Sequence, residues 1–198
     1  MHIWATIALL AVSLGQTDEA LHKELLAMGD IDQKIQLDPK VNPFGENFEA
    51  KKTLVFVQNA NRLREIIRIQ GFPTAAKVGK DGMQVVFLIV QHADFAPEFQ
   101  ERCLPTFQAM AKRQEIPKST VAYLTDRVLV NSGKLQRYGT QLAYDKDAKP
   151  YPKPVEKPEE LDKRRAEMGL QTEKAYLDGV IEFQKQMREK TKGSGGTS

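Results

Sequence analysis

The sequence predicts an all-α fold, a single mainly helical domain with one irregular segment rich in proline. Apolar residues recur at steps of three and four along most of the chain, which is the spacing of helices that bury one face. The most apolar run after the N-terminus, residues 82–90, could be a buried strand or a buried helix by composition. We assign it to a helix because no second strand of similar quality exists to pair with it. The length of 198 residues fits one domain with a substantial core.

The individual elements follow from start and stop signals along the chain. Thr17 is placed to cap the first helix and Ser119 to cap a later one, while Gly71 and Gly169 stand where helices are expected to end. Between residues 134 and 155 the prolines force extended, irregular backbone. The expected helices after the first one cover residues 48–70, 82–90, 97–114, 119–130, 158–168 and 172–190.

The two ends of the chain differ from its middle. Residues 1–15 contain an uncharged apolar run of about a dozen residues, too short to span a bilayer as a helix, which needs roughly 20. Small residues and a polar stretch follow it, so we expect a signal peptide, an exported protein (periplasmic or secreted) and no stable membrane insertion. The alternative is a buried N-terminal helix. Residues 16–192 then form the domain, and residues 193–198 have the composition of a flexible tail.

Composition narrows the function classes. The net charge is only +3 and basic residues are interleaved with acidic ones, so we expect no nucleic-acid partner. Cys103 is the only cysteine, which excludes an internal disulfide and a thiolate-rich metal site. The chain has neither a glycine motif for nucleotides nor a redox cysteine pair, so we predict no cofactor. The oligomeric state does not follow from the sequence.

The first polar candidate is Gln91-His92-Ala93-Asp94, directly after the apolar run. The polar end of a buried segment must be hydrogen-bonded inside the protein or face a cavity. His92 can act as acid or base near neutral pH, and a carboxylate can orient it. We therefore predict His92 and Asp94 as catalytic residues and Gln91 as a substrate-binding residue. The alternative is that Asp94 caps the next helix and His92 only satisfies backbone groups.

The second candidate is the pair Asp126 and Arg127, which lies among apolar neighbours on a predicted helix. Buried charges lose their hydration, so such a pair needs good partners. It is either a structural clasp or an anion-binding site, and the sequence leaves both open. In the functional alternative Asp126 is catalytic, orienting His92 as Asp94 also could, and Arg127 binds substrate.

Two further clusters supply candidate substrate-binding residues. The first surrounds a glycine with amide and hydroxyl groups, which indicates recognition rather than catalysis, or else an ordinary surface turn. It consists of Gln136, Tyr138, Thr140 and Gln141. The second consists of Arg164 and Arg165, whose guanidinium groups could hold a carboxylate or a phosphate, unless they only form a solvated helix face.

These motifs stand in a fixed order along the chain. The series is Asp32-Gln33, Gly71-Phe72-Pro73-Thr74, Gln91-His92-Ala93-Asp94, Leu124-Thr125-Asp126-Arg127, Gln136-Arg137-Tyr138-Gly139-Thr140-Gln141 and Arg164-Arg165. It resembles a bacterial family of unknown function, from about Leu21 to Tyr176, with Phe72 where that family commonly has Trp. The resemblance implies a mainly helical fold and one site shared by the polar motifs, and it brings no activity with it.

We therefore expect an enzyme that acts by acid–base chemistry, either hydrolysis or elimination, on a small, polar, anionic molecule. His92 would transfer the proton, and Arg127, Arg164 or Arg165 would hold the negative group. One alternative is a binding or interaction module without chemistry. Another is a metal enzyme with His92, Asp94 and Asp126 as ligands.

Overall fold

The computed structural model describes residues 17–37 and 47–194. The predicted signal peptide and the last four residues of the predicted tail lie outside these ranges. Among the described residues no helix is long and apolar enough to cross a membrane. The elements are α1 (Glu19–Leu37), α2 (Phe48–Gln70), α3 (Ala75–Gln91), α4 (Pro97–Lys112), α5 (Lys118–Asn131), β1 (Leu142–Tyr144), β2 (Pro150–Pro152), a 3-10 turn (Pro158–Glu160), α6 (Leu161–Glu167) and α7 (Glu173–Ser194).

Helix α3 lies at the centre of the fold. It packs against α1, α2, α4 and α5, and its side chains Val78, Val86, Ile89 and Val90 are almost completely buried. A helix that is covered on most sides needs an almost continuous apolar sequence, which explains the run at residues 82–90. The assignment of that run to a helix is therefore confirmed, and so is the mainly helical fold.

The predicted bounds of α2 agree with the structure, whereas two predicted caps are wrong. Asp18, not Thr17, caps α1, because its Oδ1 accepts a hydrogen bond from the Leu21 amide at 3.0 Å. Helix α5 begins at Lys118, so Ser119 lies inside it, after Pro117 in extended backbone (φ −62°, ψ 142°). Proline lacks a backbone N–H and is tolerated at the start of a helix, where no N–H partner is needed, so α5 begins directly after Pro117.

The segment 134–155 is less irregular than its prolines indicate. Strands β1 and β2 pair antiparallel with Ala143 opposite Tyr151. Directly after β2, the Lys153 amide donates to Gln141 O at 3.0 Å, just before β1. In an antiparallel pair every second residue turns its N–H and C=O towards the partner strand, and in β2 that residue is Tyr151. Pro150 and Pro152 occupy the positions between, where an N–H would point away from the partner strand. Proline therefore removes no ladder hydrogen bond here.

Cys103 lies on the buried face of α4, with 3% of its surface exposed. Burial raises the pKa of its thiol to about 12. The prediction that it packs as a small apolar side chain agrees with this position.

We predict that Cys103 resists alkylation in the folded protein. At pH 8 its thiolate fraction is about one in ten thousand, and only the thiolate reacts. Iodoacetamide should label the native chain at a negligible rate and label it fully in urea, as mass spectrometry would show. Rapid native labelling would contradict the buried position.

Candidate functional site

His92 forms a close pair with a buried carboxylate from another helix. It follows the last residue of α3, and its Nδ1 lies 2.9 Å from Asp32 Oδ2 on α1. The side chain of Asp32 is 1% exposed and that of His92 is 13% exposed. The packing of α1 against α3 brings the two residues together, although 60 positions separate them in the chain.

The other groups around this pair fix its orientation. Asp32 Oδ1 accepts hydrogen bonds from the side-chain amides of Gln33 at 3.1 Å and Gln36 at 2.9 Å. The ring of Phe56 stacks on the imidazole with centroids 4.6 Å apart and planes 20° apart. Among the described residues, none forms a hydrogen bond with Nε2 of His92. The imidazole is therefore held at one nitrogen and along one face. Its other nitrogen can still donate or accept a hydrogen bond.

The expectation that Asp94 or Asp126 orients His92 is not what the structure shows, since Asp32 fills that role. Asp94 instead accepts hydrogen bonds from Arg127 Nη1 at 2.6 Å, from Asn131 at 3.0 Å and from Gln100 at 3.1 Å. It also does not cap α4, whose first turn follows Ala96. Burial opposes ionisation of Asp94, but the Arg127 charge and these hydrogen bonds outweigh it and lower its pKa.

The same network closes the C-terminal end of α3. Arg127 Nη1 donates to Gln91 O at 3.0 Å, and the fully buried Gln100 amide donates to Val90 O and Gln91 O at 3.1 and 3.2 Å. The last carbonyls of a helix have no partner inside it, so these donors satisfy them. The arrangement fixes the backbone from which His92 projects. The contact to Gln91 is through its carbonyl, not through its predicted substrate-binding side chain.

Asp126 faces away from this network and holds the loop of residues 137–140. Its carboxylate accepts hydrogen bonds from the backbone amides of Arg137 at 2.7 Å, Tyr138 at 2.9 Å and Thr140 at 2.9 Å. The Thr140 hydroxyl adds a fourth, also at 2.9 Å. Asp126 is completely buried. It therefore does not pair with Arg127, and of the two alternatives its geometry is that of a structural clasp.

The carbonyl groups of the same loop are held from the opposite side by α6. Arg164 Nε donates to Arg137 O at 2.8 Å, and Arg165 Nη1 donates to Tyr138 O at 2.6 Å. Arg165 is 1% exposed and lies over the Tyr176 ring at 5.0 Å. Both guanidinium groups thus donate to backbone carbonyls, and Arg164 and Arg165 do not form a solvated helix face.

Gln136 joins the loop to the hairpin that follows it. Its amide donates to Gln141 O at 3.0 Å and to Lys153 O at 2.6 Å, and its Oε1 accepts from the Gln141 amide at 2.9 Å. Gly139 has φ +64°, and a Cβ there would lie 3.3 Å from Leu161. The predicted close approach of the loop backbone therefore exists, but to the protein's own α6.

We name these contacts the loop clasp, defined by Asp126, Gln136, Thr140, Arg164 and Arg165. The predicted site residues thus divide into two groups, the loop clasp and a cluster at the end of α3 that we call the α3 cluster. The α3 cluster consists of Asp32, Phe56, Gln91, His92, Asp94, Gln100, Arg127 and Asn131. Tyr138 and Gln141 are held by the loop clasp through their backbone groups. Neither group lines either of two surface clefts, each of about 500 Å³, that described residues form. Within the described ranges no three His, Cys, Asp or Glu side chains are grouped closely enough to bind a metal ion, so His92, Asp94 and Asp126 do not form a ligand set there.

Sequence reasoning did not identify four residues of the α3 cluster: Asp32, Phe56, Gln100 and Asn131. Gln100 could have been found, because it is a polar residue beside the apolar face that Phe99 and Cys103 define on α4. Asp32 was visible only as part of a motif series, since nothing local ties it to His92.

Together, the fold and these contacts define a mainly helical domain with a loop clasp and a buried Asp–His pair. The chain belongs to a family of unknown function, DUF6624, which matches residues 19–185. No curated protein and no solved structure matches the chain.

We predict that Asp126→Asn loosens the loop clasp. The substitution replaces one acceptor oxygen by an amide that faces N–H donors, so unfolding should become easier by about 3 kcal/mol. Amides 137–140 should also lose protection in hydrogen exchange. Asp147→Asn, at an exposed position of the hairpin turn, serves as control and should change stability by less than about 0.5 kcal/mol. Equal effects of the two substitutions would contradict the clasp.

We predict a pH-dependent effect of Asp94→Asn. Because the pKa of Asp94 is lowered in the folded state, its ionised form stabilises the fold above the ordinary aspartate pKa of about 3.9. This contribution is lost as the pH falls through the lower folded pKa. Urea titrations should show the variant about 1 kcal/mol less stable than the wild type at pH 7, since the pair is partly exposed. The difference should shrink below pH 4, and a constant difference would refute the assignment.

Proposed function

We propose that this protein is an enzyme that uses Nε2 of His92 as a general base, or in its protonated form as a general acid, on a small polar molecule. The observation that supports the proposal most directly is the buried Asp32 carboxylate 2.9 Å from the opposite ring nitrogen. The expected reaction class is hydrolysis or elimination, since both begin with removal of a proton.

The proton inventory of the pair favours this role. A carboxylate without a proton is an acceptor only, so Nδ1 of a neutral His92 must carry the hydrogen that it shares with Asp32. The lone pair is then on Nε2, which is the nitrogen without a partner among the described residues. When Nε2 takes a proton, the imidazolium charge lies next to Asp32. A carboxylate in this position selects the tautomer and stabilises the charged product.

The surroundings of His92 favour a positioned rather than a mobile base. Phe56 restrains one face of the ring, and Gln33 and Gln36 restrain the carboxylate. Preorganised groups lose little freedom when the reaction occurs, which lowers the barrier. For the negative group of the substrate, Arg127 is the favoured partner. Its Nη1 is bound to Asp94 and to the carbonyl of Gln91, the residue before His92, and its side chain is 19% exposed.

A binding module without chemistry is the second candidate, and the loop clasp favours it. Most of the motif residues outside the α3 cluster are hydrogen-bonded within the protein, as expected where motifs specify a shape rather than a reaction. In that case His92 and Asp32 tie α1 to α3, and a bound molecule remains unchanged.

The availability of Nε2 can be tested without a known substrate. Diethyl pyrocarbonate reacts with an unprotonated, accessible imidazole nitrogen. We expect His92 of the folded protein to be modified at pH 7, and Asp32→Asn to slow the reaction at least tenfold. The Asn oxygen should stay with the donors Gln33 and Gln36, so that its NH2 group donates to Nδ1 and the ring hydrogen moves to Nε2. Peptide mass spectrometry distinguishes His92 from His22, which serves as an internal control. A His92 that reacts only after unfolding would remove the proposed base.

Turnover provides the second measurement. Purified protein would be screened against chromogenic esters, amides, phosphate esters and β-elimination substrates. His92→Ala should reduce the rate of any substrate found by a factor of 10² to 10⁴, the usual contribution of a general base. His22→Ala should leave the rate unchanged. A folded His92→Ala variant with full activity would exclude the mechanism, and tight binding without turnover would favour the binding module.

A further inference from the structure

A cleft that shares no lining residue with the loop clasp or with His92 lies between the turn of the β-hairpin and the C-terminal half of α7. Its volume is about 500 Å³, within the range of small-molecule sites. One wall is formed by residues 147–150, and the other by residues between Ile181 and Glu189. The cleft therefore has a rigid helix on one side and a tight turn on the other.

The turn itself is fixed by one side chain. Asp145 Oδ1 accepts hydrogen bonds from the backbone amides of Asp147 and Lys149, each at 2.9 Å. The Asp145 amide also donates to Lys149 O at 3.1 Å, and Ala148 has φ +60°. These contacts hold the wall that carries Lys149 in one conformation. A wall that is already ordered gives up little entropy on binding a ligand.

The cleft carries an excess of positive charge. Lys149, Lys185 and Arg188 line it, against the two carboxylates of Asp147 and Glu189. Among the described residues, none of the three cations forms an ion pair or a side-chain hydrogen bond. Lys185 and Arg188 are three residues apart on one helix, a spacing at which like charges repel. An anion between these groups would relieve that repulsion.

The floor between the charges is apolar. Pro150 is buried directly after the hairpin turn, and Ile181 is 41% exposed on the facing side of α7. Gln184 adds a neutral polar group between them. An inorganic ion would leave this floor in contact with water, whereas an organic anion would cover it. Covering the floor favours binding in proportion to the apolar area that is removed from water.

We propose that this cleft binds an organic anion with an apolar body, such as an aromatic or acyl molecule that ends in a carboxylate, sulfonate or phosphate. The charged end lies among Lys149, Lys185 and Arg188, and the apolar body lies on Pro150 and Ile181. The proposal is independent of the acid–base function, because the cleft shares no residue with the α3 cluster.

The test uses 8-anilinonaphthalene-1-sulfonate, an aromatic anion whose fluorescence rises in apolar sites, and the neutral N-phenyl-1-naphthylamine for comparison. The cleft variant is Lys185→Gln/Arg188→Gln. The matched control is Lys134→Gln/Lys163→Gln, which removes two positive charges from exposed positions outside the cleft. Circular dichroism would confirm that both variants keep the fold.

We expect saturable binding of one sulfonate per chain, weakened at least tenfold in the cleft variant and less than twofold in the control. The neutral probe should bind both variants equally. Absence of saturable binding to the wild type, or an unchanged affinity in the cleft variant, would overturn the proposal. An equal loss of sulfonate affinity in the two variants would also overturn it, because it would indicate a general charge effect. So would a loss of affinity for the neutral probe in the cleft variant as large as the loss for the sulfonate.

Discussion

The structure depends on the requirement that buried polar groups find hydrogen-bond partners. The segment after α5 is not helical, yet it packs against α6 and α7, so its backbone groups cannot rely on water or on a helix. Asp126 satisfies its amides, and Arg164 and Arg165 satisfy its carbonyls. A buried group without a partner costs about 1–3 kcal/mol. This segment therefore depends on its polar motifs for folding, because they supply the hydrogen-bond partners of its backbone.

The cluster at the end of α3 follows the same rule with one difference. Arg127 and Gln100 satisfy the last carbonyls of the helix, and Asp32 satisfies Nδ1 of His92. Among the described residues, Nε2 of His92 has no hydrogen-bond partner. In the loop clasp each charged motif side chain is bound to several groups of the protein. The charged groups of the loop clasp are thus hydrogen-bonded within the protein, whereas one ring nitrogen of His92 has no partner among the described residues. The acid–base proposal concentrates on His92 for this reason.

The sequence predicts the local features of this fold and few of the distant ones. The bounds of α2 were predictable because an apolar stripe and the stop at Gly71 lie within the helix itself. The partner of His92 was not, because Asp32 comes close only when α1 packs on α3. Asp126 was recognisable as a buried charge, but its function as a clasp depends on a loop that folds back from 11 to 14 residues further along. The short hairpin was missed because its prolines, read singly, exclude a strand, whereas alternate positions of an edge strand accept them.

The energetic cost of the Asp32–His92 pair bears on its role. A carboxylate that is 1% exposed loses most of its hydration, and three donors are required to compensate it. Apolar side chains could join α1 to α3 without that cost, and both helices bury such residues in the shared core, Leu25 and Val86 among them. An ionisable pair in this position is an expensive structural tie but an ordinary arrangement for a base. A ring nitrogen that has no partner in the described part of the chain, next to a buried carboxylate, therefore favours the acid–base proposal. The loop clasp, by contrast, gives the remaining motif residues a role in folding.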